Sequence, residues 1–292
     1  MLSKSQKAVL YMIGSVICFS TMDLIVKYLN NIPFGQVLFM RFFFGMIPIF
    51  FLIPRNKIFT FYKTKRPILH TFRAVSGTIA IIALFIALRN LPLADVISLT
   101  FTGPLFVTIM SVIFLSEKVG IRRWSAVAIG FIGMLFIVRP AFEEMNFYYI
   151  FPVIFSLGFA NVAISIRSLS KTEPNYLIAF YFSLLSLFVG LLTIVNGWIW
   201  PTTYEAFLFL LLGLAGGVAN LLLTQSYRLA DASLVSPIKY LSLVVAVGAG
   251  YFIFSETPKA MTLFGASLIV VSSFIIFRRE EKLKKQVVAP RV

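Results

Sequence analysis

Charge is scarce in this chain, and the usual catalytic and metal-binding side chains are scarcer still. Of 292 residues only 13% are Asp, Glu, Lys or Arg, against about 25% in a soluble protein. There is one histidine, His70, and one cysteine, Cys18. A lone cysteine excludes an internal disulfide and does not indicate a compartment. No Cys/His cluster exists to build a metal site. The chain has no G-x-x-x-x-G-K-[ST] loop, no H-E-x-x-H and no G-x-S-x-G, so an ATPase of the P-loop kind, a zinc protease and an α/β hydrolase are all excluded. No catalytic residue, cofactor or metal is expected.

What fills the chain instead is apolar: 59% of residues are hydrophobic, including 32 Phe. The apolar residues come in runs of about 20, the length that crosses a bilayer as helix. Ten such runs lie near 7–29, 35–54, 68–88, 93–115, 121–139, 147–169, 175–196, 203–228, 232–254 and 259–277. The third and eighth carry His70, Arg73 and Arg228 in their end turns. Connections are short and often opened by proline, as at Pro33, Pro92, Pro174, Pro201 and Pro258, which leaves no room for a soluble domain. The first run exceeds the apolar core of a signal peptide, contains Asp23 and has no A-x-A-like end, so a cleaved leader is not expected.

The net charge of +15 suggests nucleic acid until the basic residues are placed. Twenty of the 26 Lys and Arg fall at 4–7, 55–73, 118–123, 167–171, 228 and 278–291, all on one side of a ten-span chain. Four, Lys27, Arg89, Arg139 and Lys259, fall on the other, and two, Arg41 and Lys239, lie inside spans. This is the positive-inside bias. It puts both termini in the cytoplasm, accounts for the charge as topology and removes nucleic acid as a partner.

The chain also repeats itself. LAD at 93–95 recurs at 229–231, and FLSE at 114–117 matches FIFSE at 252–256. SVICFSTMDLIVKYL (15–29) aligns with FSLGFANVAISIRSLS (155–170), setting Lys27 opposite Arg167 and Phe19 opposite Phe159. Two units follow, 1–140 and 141–292. Each has an odd number of spans, so the second runs through the membrane inverted. Inverted repeats are typical of secondary transporters with a substrate site near the midplane between the halves; a channel can be built the same way. The expected fold is an all-α membrane protein of ten transmembrane helices in two inverted five-helix repeats.

The strings RNLPLADVISLTFTGPLFVTIMSVIFLSEKVGIRRW (89–124) and YFIFSETP (251–258) resemble the EamA-type carriers of the drug/metabolite transporter superfamily, across nearly the whole chain. MDLIVKYL (22–29), MRFFFG (40–45), GPLFV (103–107) and SPIKYLSLV (236–244) are similar to the S-adenosylmethionine uptake carriers of intracellular bacteria within that family. The resemblance implies a multi-pass carrier of the bacterial inner membrane with a central cavity. Related carriers move riboflavin or amino acids.

Charges at membrane depth cost several kcal/mol and mark function or tight pairing. Asp23 and Arg41 each lie about six residues from the same end of adjacent spans, roughly 9 Å deep. Lys239 enters from the opposite face, about 10 Å deep. Plainer roles compete. Asp23 with Lys27 is an i, i+4 surface pair, Asp23 with Arg41 is a structural clip between helices, and Lys239 snorkels to the interface. The repeat partners of Asp23, Arg41 and Lys239 are Ala163, Tyr181 and Thr100, none charged, which favours a role toward substrate. Pro237 and Pro104 free backbone carbonyls beside Lys239 and in span 4.

The candidate substrate site is therefore Lys239, Arg41, Asp23, Tyr240, Tyr181 and Asn161. Asn161, Asn220, Gln225, Thr21 and Thr100 also fit interhelical hydrogen bonds. The glycines of GLAGG (213–217), GFIG (130–133) and GAG (248–250) fit close helix crossings. His70 reads as an interfacial residue, and Glu117 and Glu256 as pairing residues at helix ends. The expected partners are a small-molecule substrate, the lipid bilayer, and a proton or counter-solute as energy source, with Asp23 the proton candidate; oligomeric state is not encoded legibly. The expected function is alternating-access transport of a small organic metabolite, S-adenosylmethionine uptake fitting the polar groups. An exporter of amino acids or toxic compounds and a riboflavin carrier are the alternatives within transport. A membrane enzyme or scaffold without flux is the alternative outside it.

Overall fold

The computed structural model describes residues 4–57, 59–115, 120–144, 146–169, 172–229 and 236–288. Glu117 and Asp231 lie outside them. The described elements are all helical. They are α1 (Lys4–Tyr28), α2 (Phe34–Phe51), α3 (Pro67–Asn90), α4 (Leu93–Thr100), α5 (Gly103–Leu115), α6 (Ile121–Glu144), α7 (Ile150–Leu169), α8 (Asn175–Leu192), α9 (Thr203–Leu229), α10 (Leu241–Phe254) and α11 (Ala260–Val288). Short 3-10 turns precede α7 at Phe147–Tyr149 and α10 at Ser236–Tyr240. Seven helical stretches among the described residues are long and apolar enough to cross a membrane, and three shorter apolar stretches lie at Trp124–Val138, Ile238–Phe254 and Ala260–Ile275.

Proline and sequence composition set the boundaries. Pro33, Pro92 and Pro174 stand at the N-caps of α2, α4 and α8, and Pro67 opens α3, positions where a missing N–H costs nothing. The expected single span over 93–115 is instead two helices, α4 and α5, broken at Phe101–Thr102. The cause is Pro104, which has no N–H to offer the carbonyl of Thr100. The Ser156 hydroxyl of α7 donates to that carbonyl at 3.3 Å and to Leu99 O at 3.1 Å, and Ser273 of α11 donates to Phe101 O at 3.3 Å. Carbonyls freed inside a membrane protein must find such donors.

The helices pack across the chain rather than within each half. α1 runs along α9, α2 lies between α8 and α9, α3 lies against α7 and α8, and α6 runs along α11. Phe42, Phe85 and Phe209 fill the shared core, while Phe51 and Trp200 stay exposed, as bilayer-facing aromatic residues do. Glycines bring the crossings close. Gly45 of α2 meets Gly213 and Gly217 of α9, and Gly133 of α6 meets Gly265 of α11, with backbone in direct contact. The GAG stretch does not act this way: nothing lies within 4 Å of where a Gly248 side chain would start, and Gly250 meets only Glu256.

Serine makes many of the hydrogen bonds between helices. Ser15 donates to Ala219 O at 2.9 Å, Ser226 to Ala8 O at 2.8 Å and Ser272 to Ala126 O at 2.5 Å, and Ser186 shares a 2.7 Å bond with Thr78. Thr21, Thr100 and Asn220, expected to reach across, bond back to carbonyls of their own helices at Ile17, Ile97 and Gly216. A short polar side chain in an apolar helix has its own preceding turn within reach.

Candidate substrate site

An interrupted helix and a 3-10 turn meet in the interior. The α4–α5 break presents Phe101, and the 3-10 turn Ser236–Tyr240 presents Tyr240; their rings pack edge-on at 5.0 Å between centroids. Tyr240 donates onward to Val270 O at 3.4 Å. Its neighbour Lys239 holds its ammonium 5.2 Å from the centre of the Phe159 ring on α7. Phe159 stacks with Phe155 at 5.9 Å, and its other neighbour is Gly103, where an added Cβ would sit 3.4 Å from the ring. A cation, two stacked rings and freed backbone therefore converge where α4–α5, α7 and the turn before α10 come together.

A second charged group lies between α1, α2, α3, α8 and α9. Asp23 and Arg41 are both buried, at 8% and 2% exposure, and interact electrostatically, but no direct ion pair joins them. Asp23 Oδ1 and Arg41 Nε have no hydrogen-bond partner. Arg41 is seated by glycine: its Nη1 lies 3.6 Å from the Cβ position of Gly45, one turn on, and its Nη2 lies 2.9 Å from that of Gly216 on α9. The sequence correctly brought Asp23 and Arg41 to one level.

It misplaced Arg73. Counted above among the charges of the basic face, Arg73 is 5% exposed. Its guanidinium carbon stacks 4.1 Å from the Phe182 ring, and Arg41 feels its charge. A six-residue offset from Pro67 is roughly 9 Å of helix, deep enough to leave the interface. The missed signal is a repeated spacing: Arg41-x-x-x-Gly45 and Arg73-x-x-x-Gly77, each arginine lying over the glycine of its own next turn. His70, near the start of α3, is covered by protein at that end of the bundle: it is 1% exposed, with its ring 4.8 Å from Tyr181.

The remaining candidates are Tyr181 on α8 and Asn161 on α7. Tyr181 donates from its hydroxyl to Tyr62 O at 2.6 Å, an exposed bond at the loop after α2. Asn161 is half-buried on α7.

At the end of the bundle holding residues 29–33 and 91–92, a polar lattice ties several helices. Lys27 of α1 pairs with Glu256 at 2.7 Å and donates to Leu91 O at 2.6 Å. Glu256 also accepts from Leu93 N at 2.8 Å, the start of α4. Ser255, in the left-handed region at φ 55°, turns the chain after α10 so that Glu256 faces back. Asp95 accepts from Tyr149 at 2.5 Å and from Thr262 at 2.7 Å. The i, i+4 pairing of Asp23 with Lys27 is thus replaced: Lys27 pairs with Glu256, and Asp23 faces Arg41. Glu256→Ala strips Lys27 and Leu93 N of their acceptor at once. It is expected to lower stability by about 2–4 kcal/mol, read as an earlier thermal unfolding of the purified protein.

Comparison with known proteins places this geometry. A solved crystal structure 16% identical to this chain superposes with a TM-score of 0.62, covering 94% of this chain and 98% of its own; that shows a shared fold. The S-adenosylmethionine uptake transporter of Rickettsia bellii (strain RML369-C) is 29% identical over 278 residues, 94% of each chain. The riboflavin transporter of Rhizobium johnstonii (strain DSM 114642 / LMG 32736 / 3841) is also 29% identical, over 97% of this chain and 95% of its own. These relatives are transporters, not enzymes. The sequence profile of the EamA-like transporter family matches residues 6–139 and again residues 146–278. A multi-pass helical membrane protein with a cation beside a broken helix and further charges buried in its bundle, matched twice over by that profile, belongs to the EamA-like transporter family.

Proposed function

We propose that this protein is a secondary active transporter of the bacterial inner membrane, carrying S-adenosylmethionine or a solute of like chemistry into the cell by alternating access. The observation that carries the reading is the meeting of the interrupted helix at Phe101–Thr102 with the 3-10 turn at Ser236–Tyr240, with Lys239 and the Phe155–Phe159 stack beside them. Broken helices near the midplane are where such carriers bind their solutes. Lys239 supplies a cation to an anionic group, Phe159 and Phe155 a face for a planar base, and Asp23 an anion for a cationic centre. S-adenosylmethionine presents all three groups.

In this reading ten spans form two inverted five-helix repeats, 1–140 and 141–292, with both termini cytoplasmic. The packing supports it. Under an exchange of halves, α1 on α9 becomes α7 on α3, α2 on α9 becomes α8 on α3, and α2–α8 and α6–α11 map onto themselves; all of these pairs pack. Nineteen Lys and Arg, once Arg73 is set aside, support the orientation. A gradient or an exchanged solute drives the cycle.

The test is uptake of radiolabelled S-adenosylmethionine by cells expressing the chain. Saturable uptake at least about tenfold above empty-vector cells is expected, blocked by unlabelled S-adenosylmethionine and not by riboflavin; discrimination between such different solutes exceeds what one or two contacts give. The similarity to riboflavin transporters supports one second reading. Uptake of riboflavin with none of S-adenosylmethionine establishes that reading instead, and loss of preloaded solute reverses the direction.

A further inference from the structure

The geometry points to a carboxylate-binding site made by Arg41 and Arg73, with Asp23 beside it for an ammonium: a seat for an α-amino-acid head group in the transported solute. This deepens the transport reading and rests on it for the solute's path, but not for the site's existence.

The argument begins with charge. Arg41, Arg73 and Asp23 are each more than nine-tenths buried, and Arg41 lies within electrostatic reach of both the others. Two cations and one anion leave a positive excess inside the helical bundle. A buried cation needs an anion or a full set of acceptors, yet Nε of Arg41 and both Nε and Nη1 of Arg73 have no hydrogen-bond partner. Nor does Oδ1 of Asp23. Donors and an acceptor thus stand unsatisfied at one level, the complement of a carboxylate next to an ammonium.

The surroundings hold the guanidiniums ready. Phe42 lies under Arg41 and Phe182 under Arg73, each 4.1 Å from guanidinium carbon to ring centre, and the two rings pack edge to face at 5.1 Å. The cations are therefore mounted on one aromatic pair that bridges α2 and α8. Gly45, Gly77 and Gly216 keep side chains out of their way. A guanidinium offers paired donors in a plane, the shape a carboxylate accepts. Lys239, a point charge on another element, offers no paired donors; the solute's single carboxylate meets it at a different stage of the transport cycle from the arginines.

The experiment uses the purified full-length protein in two arms. In proteoliposomes, S-adenosylmethionine and its decarboxylated analogue compete for uptake of labelled S-adenosylmethionine. The wild type is expected to favour the carboxylate-bearing form by about 100-fold, the effect of removing one partner of a buried charge pair. Arg73→Gln is expected to weaken S-adenosylmethionine by about the same factor while leaving the decarboxylated analogue within about threefold, so that discrimination collapses; Arg73→Lys keeps part of it. Equal competition by both compounds in the wild type, or undiminished discrimination in Arg73→Gln, overturns the site.

The second arm needs no knowledge of the solute. Formate, the smallest carboxylate, is compared with chloride at matched ionic strength in thermal unfolding. Formate is expected to raise the midpoint of the wild type, as a ligand of the folded state does, and not that of Arg41→Gln or Arg73→Gln. Without formate, Arg73→Gln is expected to unfold no earlier than wild type, since it removes an uncompensated charge; a marked drop would mean the arginine is structural and overturns the proposal. Formate protection without S-adenosylmethionine flux leaves the site standing and overturns only the solute assignment.

Discussion

Transport by Lys239→Ala is expected to fall to background, with the protein still folded in the membrane at wild-type level. Lys239 sits on the 3-10 turn before α10, with its ammonium on Phe159 and its neighbour Tyr240 on Phe101. The side chain is half-buried, so truncation removes little packing; the cation–π contact puts about 1 kcal/mol of stability at stake. Removing a charge that meets an oppositely charged solute group costs about 2–5 kcal/mol of binding, or about 30-fold to several thousandfold in kcat/KM. Initial uptake rates and the unfolding midpoint, measured on the same preparation, separate the two. Lys239→Arg keeps the charge and the ring contact and is expected to retain partial uptake. Normal uptake by Lys239→Ala would reduce Lys239 to an anchor and leave Arg41 and Arg73 as the cations of the site.

Gly217→Val is expected to abolish the folded protein. A side chain at that position begins 2.6 Å from the carbonyl oxygen of Gly45 and 2.7 Å from the Pro48 ring. Gly213, one turn earlier on α9, is pressed against Phe44 and Gly45 in the same way. This is the small-residue seam by which membrane helices approach. Neither neighbour can yield: one is backbone and the other a ring fixed to it. Overpacking in a soluble core costs about 1–3 kcal/mol, and here α2 must also part from α9, exposing Arg41, which packs on Gly216. The expectation is loss of the monodisperse peak after detergent extraction. Gly248→Ala, where nothing lies within 4 Å, is expected to extract normally and to gain about 0.5–1 kcal/mol from the removal of a helical glycine.

The helices could be read from the sequence because each apolar run is bounded by charge or proline. Span ends at Phe34, Pro67, Asn175 and Thr203 agree with the runs to within a residue. The break in span 4 left a mark, Gly103-Pro104, but hydropathy alone drew the span unbroken, since it averages over a missing hydrogen bond. Asp23 and Arg41 were legible because depth follows from residue count. Arg73 was hidden by the rule that served well elsewhere: a basic residue near a helix end counts as loop charge unless its burial is known. Which polar side chains reach between helices and which bond back to their own was also not legible, because their reach depends on how closely two backbones approach.

The packing of each half against the other also governs how the protein is made. α1, α2, α3 and α6 all find main packing surfaces on helices after residue 146. During synthesis at about 5–20 residues per second, the first half waits in the bilayer for roughly 10–30 seconds before its partners exist. Arg41 and Arg73 are then uncovered by α8 and α9, and the glycine seam of α2 has no mate. The early helices therefore depend on the insertion machinery and on each other until α9 arrives. A nascent chain stopped before that point is a natural substrate for membrane proteases. Supplied as two separate chains in one cell, the halves carry complementary faces for reassembly, as the two protomers of an antiparallel dimer would.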